Sequence, residues 1–341
     1  MRPRRETFLR AFDRQPTERL PYHVEMTSGL RDRLAEHVGR RGDAFEEWLG
    51  NYAEKVDIGD GGAMESGGIF RDDFGVRWDR SGADKDIGII VEPPLPEPDP
   101  ARVRLPEPDR ARARARVEAA RARGRDAALF AKIGATLFER AWSLCGLEPF
   151  LEYLLTEPEF VAALLRRIAD HRLALVQAVL DLPVDGFYFG DDYGQQSGAL
   201  FGAATFRALI RPELERLFAP IRRAGKLIVL HSCGNVELFL DDLIEIGLDG
   251  YQTVQPEVYD FERLKRRYGD RLVFWGGIST QTTLPFGTPD DVRAAVNRAA
   301  RALGRGGGYI AGPTHRITPD TPLENVLALL EALRGAGGGE D

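Results

Sequence analysis

The chain has 341 residues and a mass of 37.9 kDa, with 43% hydrophobic and 29% charged residues and a formal net charge of -7. That is ample apolar material for a large core, yet no run nears the ~20 uninterrupted apolar residues of a membrane span. The acidic balance excludes general nucleic-acid affinity, which needs clustered Lys and Arg facing phosphates.

The start, "MRPRRETFLRAFDRQPTERLP", is basic but is followed by neither an apolar stretch nor a small-residue cleavage site, so a cytoplasmic location is expected. Short apolar runs then recur along the chain. Candidate strands are "LPYHVEM" (20–26), "ALFAKIG" (128–134), "VDGFYFG" (184–190), "KLIVLHS" (226–232), "LDGYQTV" (248–254), "RLVFWGG" (271–277) and "GGYIAGP" (307–313), with an eighth placed around "EKVDIGD" (54–60). Each is short and rich in aromatic or branched residues, as buried parallel strands are. Amphipathic segments at 204–225, 236–247 and 288–306 separate them and read as helices, the last with Thr288 as N-cap and Pro289 at the first helical position. The alternation predicts βαβ units and a parallel sheet. No Gly-x-Gly-x-x-Gly turn follows the first strand, so a single (β/α)8 TIM-type barrel over residues 1–335 is expected instead of a doubly wound sheet, with 336–341 as a disordered tail.

Residues 60–110 break the rhythm. They read as a β-rich excursion followed by a connection punctuated by Pro93, Pro94, Pro96, Pro98 and Pro100, which exclude regular helix. Such an insertion would cover one mouth of the barrel or serve as a dimer contact. The arginine-rich run "DRARARARVEAARARGR" (109–125) reads as a solvated helix.

In a (β/α)8 barrel the reactive side chains sit at the C-terminal ends of the strands. Asp191 and Asp192 end one apolar run, and His231 and Cys233 end the next; Gln255, Trp275, Gln281 and His315 lie at the ends of later ones. Alternate residues point the same way on extended backbone, so His231 and Cys233 share a direction, a spacing suited to metal chelation. Zinc takes nitrogen and sulfur ligands and needs only three plus an open position in a reactive site, and His315 is the third candidate. Asp191 or Asp192 would be a fourth ligand, a partner of a histidine, or a proton carrier. The competing reading makes "HSCGN" an ordinary turn and the two aspartates caps for the next helix. His37 and His171 lie in charged helical segments and are expected to be exposed; His23 reads as core or pocket wall, and Cys145 as helix packing. Tyr22 and Glu25, with Gln255, Trp275 and Gln281, are the candidate substrate-binding residues.

The segments "RRETFLRAFDRQPTERLPYHVE", "GDDYGQQSGALF", "LHSCGNVELFLDDLIEIGLDGYQTVQP", "FWGGISTQTTLPFGTPDDV" and "GGGYIAGPTHRITPDTPLENVLALLEAL" together resemble the uroporphyrinogen decarboxylase superfamily. That superfamily consists of (β/α)8 barrels and includes zinc-dependent, corrinoid-linked methyltransferases. The true decarboxylases carry an arginine-rich segment after the first strand; here "EMTSGLRDRL", with Arg31 and Arg33, does not reproduce it. The resemblance is closer to the methyltransferases, since His231 and Cys233 match two of their zinc ligands, while His315 stands where their third ligand is a cysteine. It implies a bound zinc ion and a small-molecule substrate, with a methyl group passing to or from a corrinoid on a partner protein, and a homodimer is common in the superfamily. The alternatives are a metal-independent decarboxylase and a barrel that binds a small ligand without turnover.

Overall fold

The computed structural model describes residues 2–82, 86 and 88–337. Contacts divide the chain into two compact units, one of residues 1–54, 125–128 and 249–341, the other of residues 55–124 and 129–248.

Thirteen strands occur among the described residues: β1 (Ala53–Asp57), β2 (Gly62–Met64), β3 (Ile69–Asp72), β4 (Arg77–Asp79), β5 (Ile89–Glu92), β6 (Ala128–Ile133), β7 (Gly186–Gly190), β8 (Gly194–Gln195), β9 (Gly198–Ala199), β10 (Leu227–His231), β11 (Gly250–Thr253), β12 (Val273–Ile278) and β13 (Tyr309–Pro313). Seven form a parallel sheet in the order β1-β6-β7-β10-β11-β12-β13. They coincide with seven of the eight expected runs, the one around 54–60 included. The remaining run, 20–26, carries no regular strand because Pro21 has no N–H to give a ladder. It is still paired on both sides. Tyr22 bridges Ala311 in parallel, and the Tyr52 amide donates to the Tyr22 carbonyl. Residues 20–26 thus lie between β13 and the start of β1 as the eighth member of a (β/α)8 barrel.

The helices form where the pattern places them. Pro289–Gly304 begins with a capping box in which the Thr288 hydroxyl accepts from the Asp291 amide and the Asp291 carboxylate accepts from the Thr288 amide. Arg110–Ala122 buries Ala113, Val117 and Ala120, and its outward arginines are paired within the chain, Arg112 with Asp73 and Arg114 with Asp181. The segment 204–225 is not one regular helix: Phe206–Ile210 is a π-helical turn leading into Arg211–Arg223.

The excursion before residue 110 is the four-stranded antiparallel sheet β2-β3-β4-β5. It is anchored by Phe74, whose ring lies beneath the Arg140 and Arg172 guanidinium groups at 4.2 and 5.0 Å. The same ring corrects one expectation. His171 is buried, 7% exposed, because Phe74 packs edge-on against it at 5.1 Å from within the insertion. His23 is buried with Trp275 edge-on at 5.3 Å, Cys145 is wholly buried, and His37 is exposed. At the C-terminus, the Leu20 amide donates to the Ala336 carbonyl and Arg19 bridges Gly337; residues 338–341 of the expected tail lie outside the described residues.

Candidate metal centre

The site grows from the ends of β7 and β10, whose register sets His231 opposite Gly190. Phe187 and Phe189 point toward the helices, where Phe189 stacks on Phe218 at 5.4 Å. Tyr188 and Gly190 therefore face the barrel interior, as His231 does. Past the strand end, the Cys233 amide donates to Asp192 Oδ1 at 2.8 Å. Cys233 Sγ lies 3.6 Å from His231 Nε2, and Asp192 Oδ1 also lies 3.6 Å from that nitrogen. Among the described residues, His231, Cys233 and His315 form a group able to hold a metal ion, each offering one ligand atom, with these atoms within 4.8 Å of one another.

The turn that presents Cys233 has no room to vary. Gly234 has φ +72°, and a Cβ there would meet the Gln195 nitrogen and the Gly194 carbonyl carbon, each at 2.5 Å. Only glycine accepts both the left-handed backbone and that approach. The β8–β9 hairpin is pressed against the turn, with the Asn235 amide donating to the Gln195 carbonyl.

Asp191 and Asp192, adjacent in sequence, separate in space. Asp191 is fully buried and accepts from the Leu137, Phe138 and Glu139 amides at 3.0, 3.0 and 2.7 Å and from the Tyr193 hydroxyl at 2.8 Å. It caps the helix Phe138–Cys145 from a neighbouring strand end. Asp192 remains beside His231 and Cys233. The Cys233 thiol is pushed up by burial and further by Asp192 and Glu139.

Glu139 was not among the expected residues. It sits in the first turn of the capped helix, and burial, then Asp192 and Asp191, push its carboxyl well above the usual carboxylate range. The signal that could have found it is an acid at a helix start just beyond a strand end, the run "GATLFER" after β6. The turn itself is held from behind: Ala135 has φ +45°, and Arg172, fully buried, donates to the Ala135 and Thr136 carbonyls at 3.0 and 3.2 Å.

The expected substrate-binding residues have these places. The Tyr22 hydroxyl donates to the Leu49 carbonyl at 2.9 Å, and Glu25 pairs with Arg316 at 3.1 Å. Trp275 is buried edge-on to Phe8 and His23. Gln255 is buried and accepts from the Thr253 hydroxyl, directly after Val254, a branched residue at φ +47°. Gln281 is exposed, its amide donating to Ser279 Oγ.

Fold and site together define a (β/α)8 barrel with a nitrogen–sulfur–nitrogen donor set at its strand ends. The chain belongs to the uroporphyrinogen decarboxylase (URO-D) family, whose model matches residues 82–336. It is 28% identical over 192 residues to the methylcobamide:CoM methyltransferase MtaA of Methanosarcina barkeri, 56% of this chain and 54% of that protein. It is 24% identical over 184 residues to the uroporphyrinogen decarboxylase of Coxiella burnetii, 53% of this chain and 49% of that one. The chain thus matches about half the length of each of these curated relatives. A methyltransferase from Methanosarcina mazei has the same fold, with a TM-score of 0.71 over 98% of both chains at 19% identity. No described helix is long and apolar enough to cross a membrane.

Proposed function

We propose that this protein is a zinc-dependent methyltransferase of the URO-D family, which moves a methyl group between a small substrate or thiol and a corrinoid carried by a partner protein. The observation that carries the reading is the 3.6 Å approach of His231 Nε2 and Cys233 Sγ. Two ligand atoms held at 2.0–2.3 Å in tetrahedral geometry stand roughly 3.5 Å apart, so the pair already has the separation a zinc ion demands. His315 is the third ligand, and its imidazole in place of a second thiolate leaves the site one negative charge fewer. When bound, the ion supplies Lewis acidity that makes a thiol nucleophilic or polarises a leaving group.

The chain's own residues handle protons and position. Asp192, beside both His231 and Cys233, takes the thiol proton when Cys233 becomes a thiolate ligand. Glu139, whose carboxyl burial pushes well above the usual carboxylate range, stands next to Asp192 and is the proposed proton donor to the substrate. Asp191 fixes the helix that carries Glu139 and is a positioning residue. Tyr22, Glu25, Gln255, Trp275 and Gln281 are the residues proposed for the substrate side.

The test is elemental analysis of protein purified without chelators, expected to find about one zinc per chain. Cys233→Ser and His315→Ala should each remain folded and come off the column nearly metal-free. Far less than one equivalent of any transition metal in zinc-supplied wild type would make "HSCGN" a turn only. Anaerobic incubation with uroporphyrinogen should yield no coproporphyrinogen, because the arginine-rich carboxylate-binding segment is missing.

A further inference from the structure

On the outer flank of the barrel, the helices Phe261–Tyr268 and Pro289–Gly304 border a groove of about 1110 Å³, lined by residues between 256 and 305 of one compact unit. Each helix follows one strand of the parallel set β11, β12 and β13, so the two run the same way and their charges sort to opposite ends. Glu257, Asp260 and Glu262 line the end near the helix starts; Lys265, Arg298, Arg301 and Arg305 line the other. Arg266 also faces the groove and is answered by Glu262 at 3.7 Å. Gly277, Ala295 and Ala302 are small and leave the space between the helices open.

Arg293, earlier on the second helix, pairs with both Asp290 and Glu331. Arg298, Arg301 and Arg305 are exposed and make no hydrogen bond or ion pair among the described residues. Spaced three and four residues apart, they follow one another along one face at about 5 Å per turn. A single exposed arginine without a partner is ordinary, and a cation in the last turn complements the helix dipole. A row that begins before the last turn and lines a groove, in a chain of net charge -7, concentrates positive potential in one place. On the facing helix Lys265 donates to the Gly307 carbonyl, a neutral acceptor, and burial, then Arg14, lowers its ammonium to about 8.

We propose that this groove binds a small phosphate-bearing molecule of the nucleotide class, its phosphates on Arg298, Arg301 and Arg305 and its hydroxyl- and amine-bearing end toward Glu257 and Asp260. Guanidinium groups meet phosphate oxygens as a planar fork, and arginines one turn apart suit phosphates linked in a chain. The acidic end decides between anions. An acidic peptide lying along the groove would set its carboxylates against Glu257, Asp260 and Glu262, whereas a nucleotide carries its charge at one end and offers donors at the other. Glu257 is fixed to receive them by the Ser279 and Thr282 hydroxyls. The groove is separate from the metal group and does not depend on it.

Calorimetry on the full-length protein as purified tests this with ATP, ADP, AMP, adenosine, tripolyphosphate and a glutamate-rich peptide. Affinity should rise with each phosphate, ATP binding at least about ten-fold more tightly than AMP, and this advantage should shrink with added salt. ATP should also bind about three-fold or more tighter than tripolyphosphate, because only ATP reaches the acidic end. Arg301→Gln and Arg305→Gln, both at exposed positions, should each weaken ATP by about five-fold or more, whereas Arg223→Gln, exposed on another helix, should leave its affinity unchanged. Equal zinc content in all three variants keeps such a loss apart from the metal group. ATP binding no tighter than AMP, or unchanged in both Arg301→Gln and Arg305→Gln, would overturn the proposal. So would a glutamate-rich peptide that matches ATP, which makes the groove a docking surface for an acidic protein. Tripolyphosphate equal to ATP would also overturn it, leaving an anion site with no preference for a nucleotide.

Discussion

Arg172 grips Asp60 with both ends of its guanidinium group, Nη1 reaching Oδ1 and Nη2 lying 2.9 Å from Oδ2, with none of the arginine side chain exposed. Arg140 joins from the other side, 2.7 Å from Asp60 and 2.7 Å from Asp72. The network ties the insertion to the helices Phe138–Cys145 and Pro158–Val179. It also ends on the Ala135–Thr136 turn, so the same arginine holds the approach to Glu139.

Breaking a buried pair from one side is costly because it strands the remaining charge. Arg172→Met should destabilise the protein by about 3–5 kcal/mol, as it leaves Asp60 with only Arg140 and frees the Ala135 and Thr136 carbonyls. The urea unfolding midpoint measures this. A midpoint within error of wild type would mean that the network does not hold the fold.

The pH dependence of stability follows from two neighbours in this cluster. Burial, then Arg172, lowers His171 from its ordinary value to about 4, so between pH 6.5 and pH 4 the unfolded chain takes up a proton that the folded chain does not. Its contribution is complete above pH 6.5 and is lost as the pH falls through that window. Asp60 behaves in the same sense lower down. Burial pushes its carboxyl up, but Arg172 and Arg140 outweigh this and hold it at about 2, so its contribution is lost only as the pH falls from about 4 toward 2. Melting temperatures should decline between pH 6.5 and pH 4.5 in wild type and decline less steeply in His171→Phe. Equal slopes would exclude His171 as the source.

Asp191 and Asp192 should respond differently to substitution. Asp191→Ala leaves three helix-start amides and the Tyr193 hydroxyl without their acceptor in a buried place, at a cost of about 3 kcal/mol or more. Asp192→Ala, at a half-exposed position, should barely move the melting temperature and should impair turnover. The reverse pattern, a stable Asp191→Ala and an unstable Asp192→Ala, would contradict this division of roles.

That division marks the boundary of what the sequence can convey. The barrel strands were legible because each is a short apolar run closed by a turn, and even 20–26, broken by Pro21, kept the alternation that placed it. His231 and Cys233 were legible as neighbours, since two-residue spacing at the end of a strand brought them 3.6 Å apart, but spacing alone did not separate a ligand pair from an ordinary turn. Which of two adjacent aspartates turns to the metal group was not, since Asp191 is claimed by amides from another βα loop. Glu139 was hidden for the same reason, reading locally as an ordinary acid in a first helical turn. The burial of His171 comes from Phe74, nearly a hundred residues earlier in sequence. No local periodicity carries such a contact.

Gly234 provides a way to disturb the metal group without removing any of its donors. Its φ of +72° is unfavourable for alanine, and the new Cβ would stand 2.5 Å from the backbone of Gly194 and Gln195, which cannot swing aside as a flexible side chain could. The strain has two outlets. Either the β8–β9 hairpin moves off, or the turn shifts and carries Cys233 out of its 3.6 Å approach to His231. Cys233 is tied to Asp192 through its amide, so displacement of the turn disturbs the sulfur, the Asp192 carboxylate and the imidazole together. Gly234→Ala should therefore lose more than about 1 kcal/mol of stability. Its zinc content should also fall well below that of wild type although all three donor side chains are intact. Zinc per chain and the unfolding midpoint, measured on the same preparation, provide the check. Full zinc occupancy with reduced stability would show that the hairpin yields and that the turn holds Cys233 in place without its glycine.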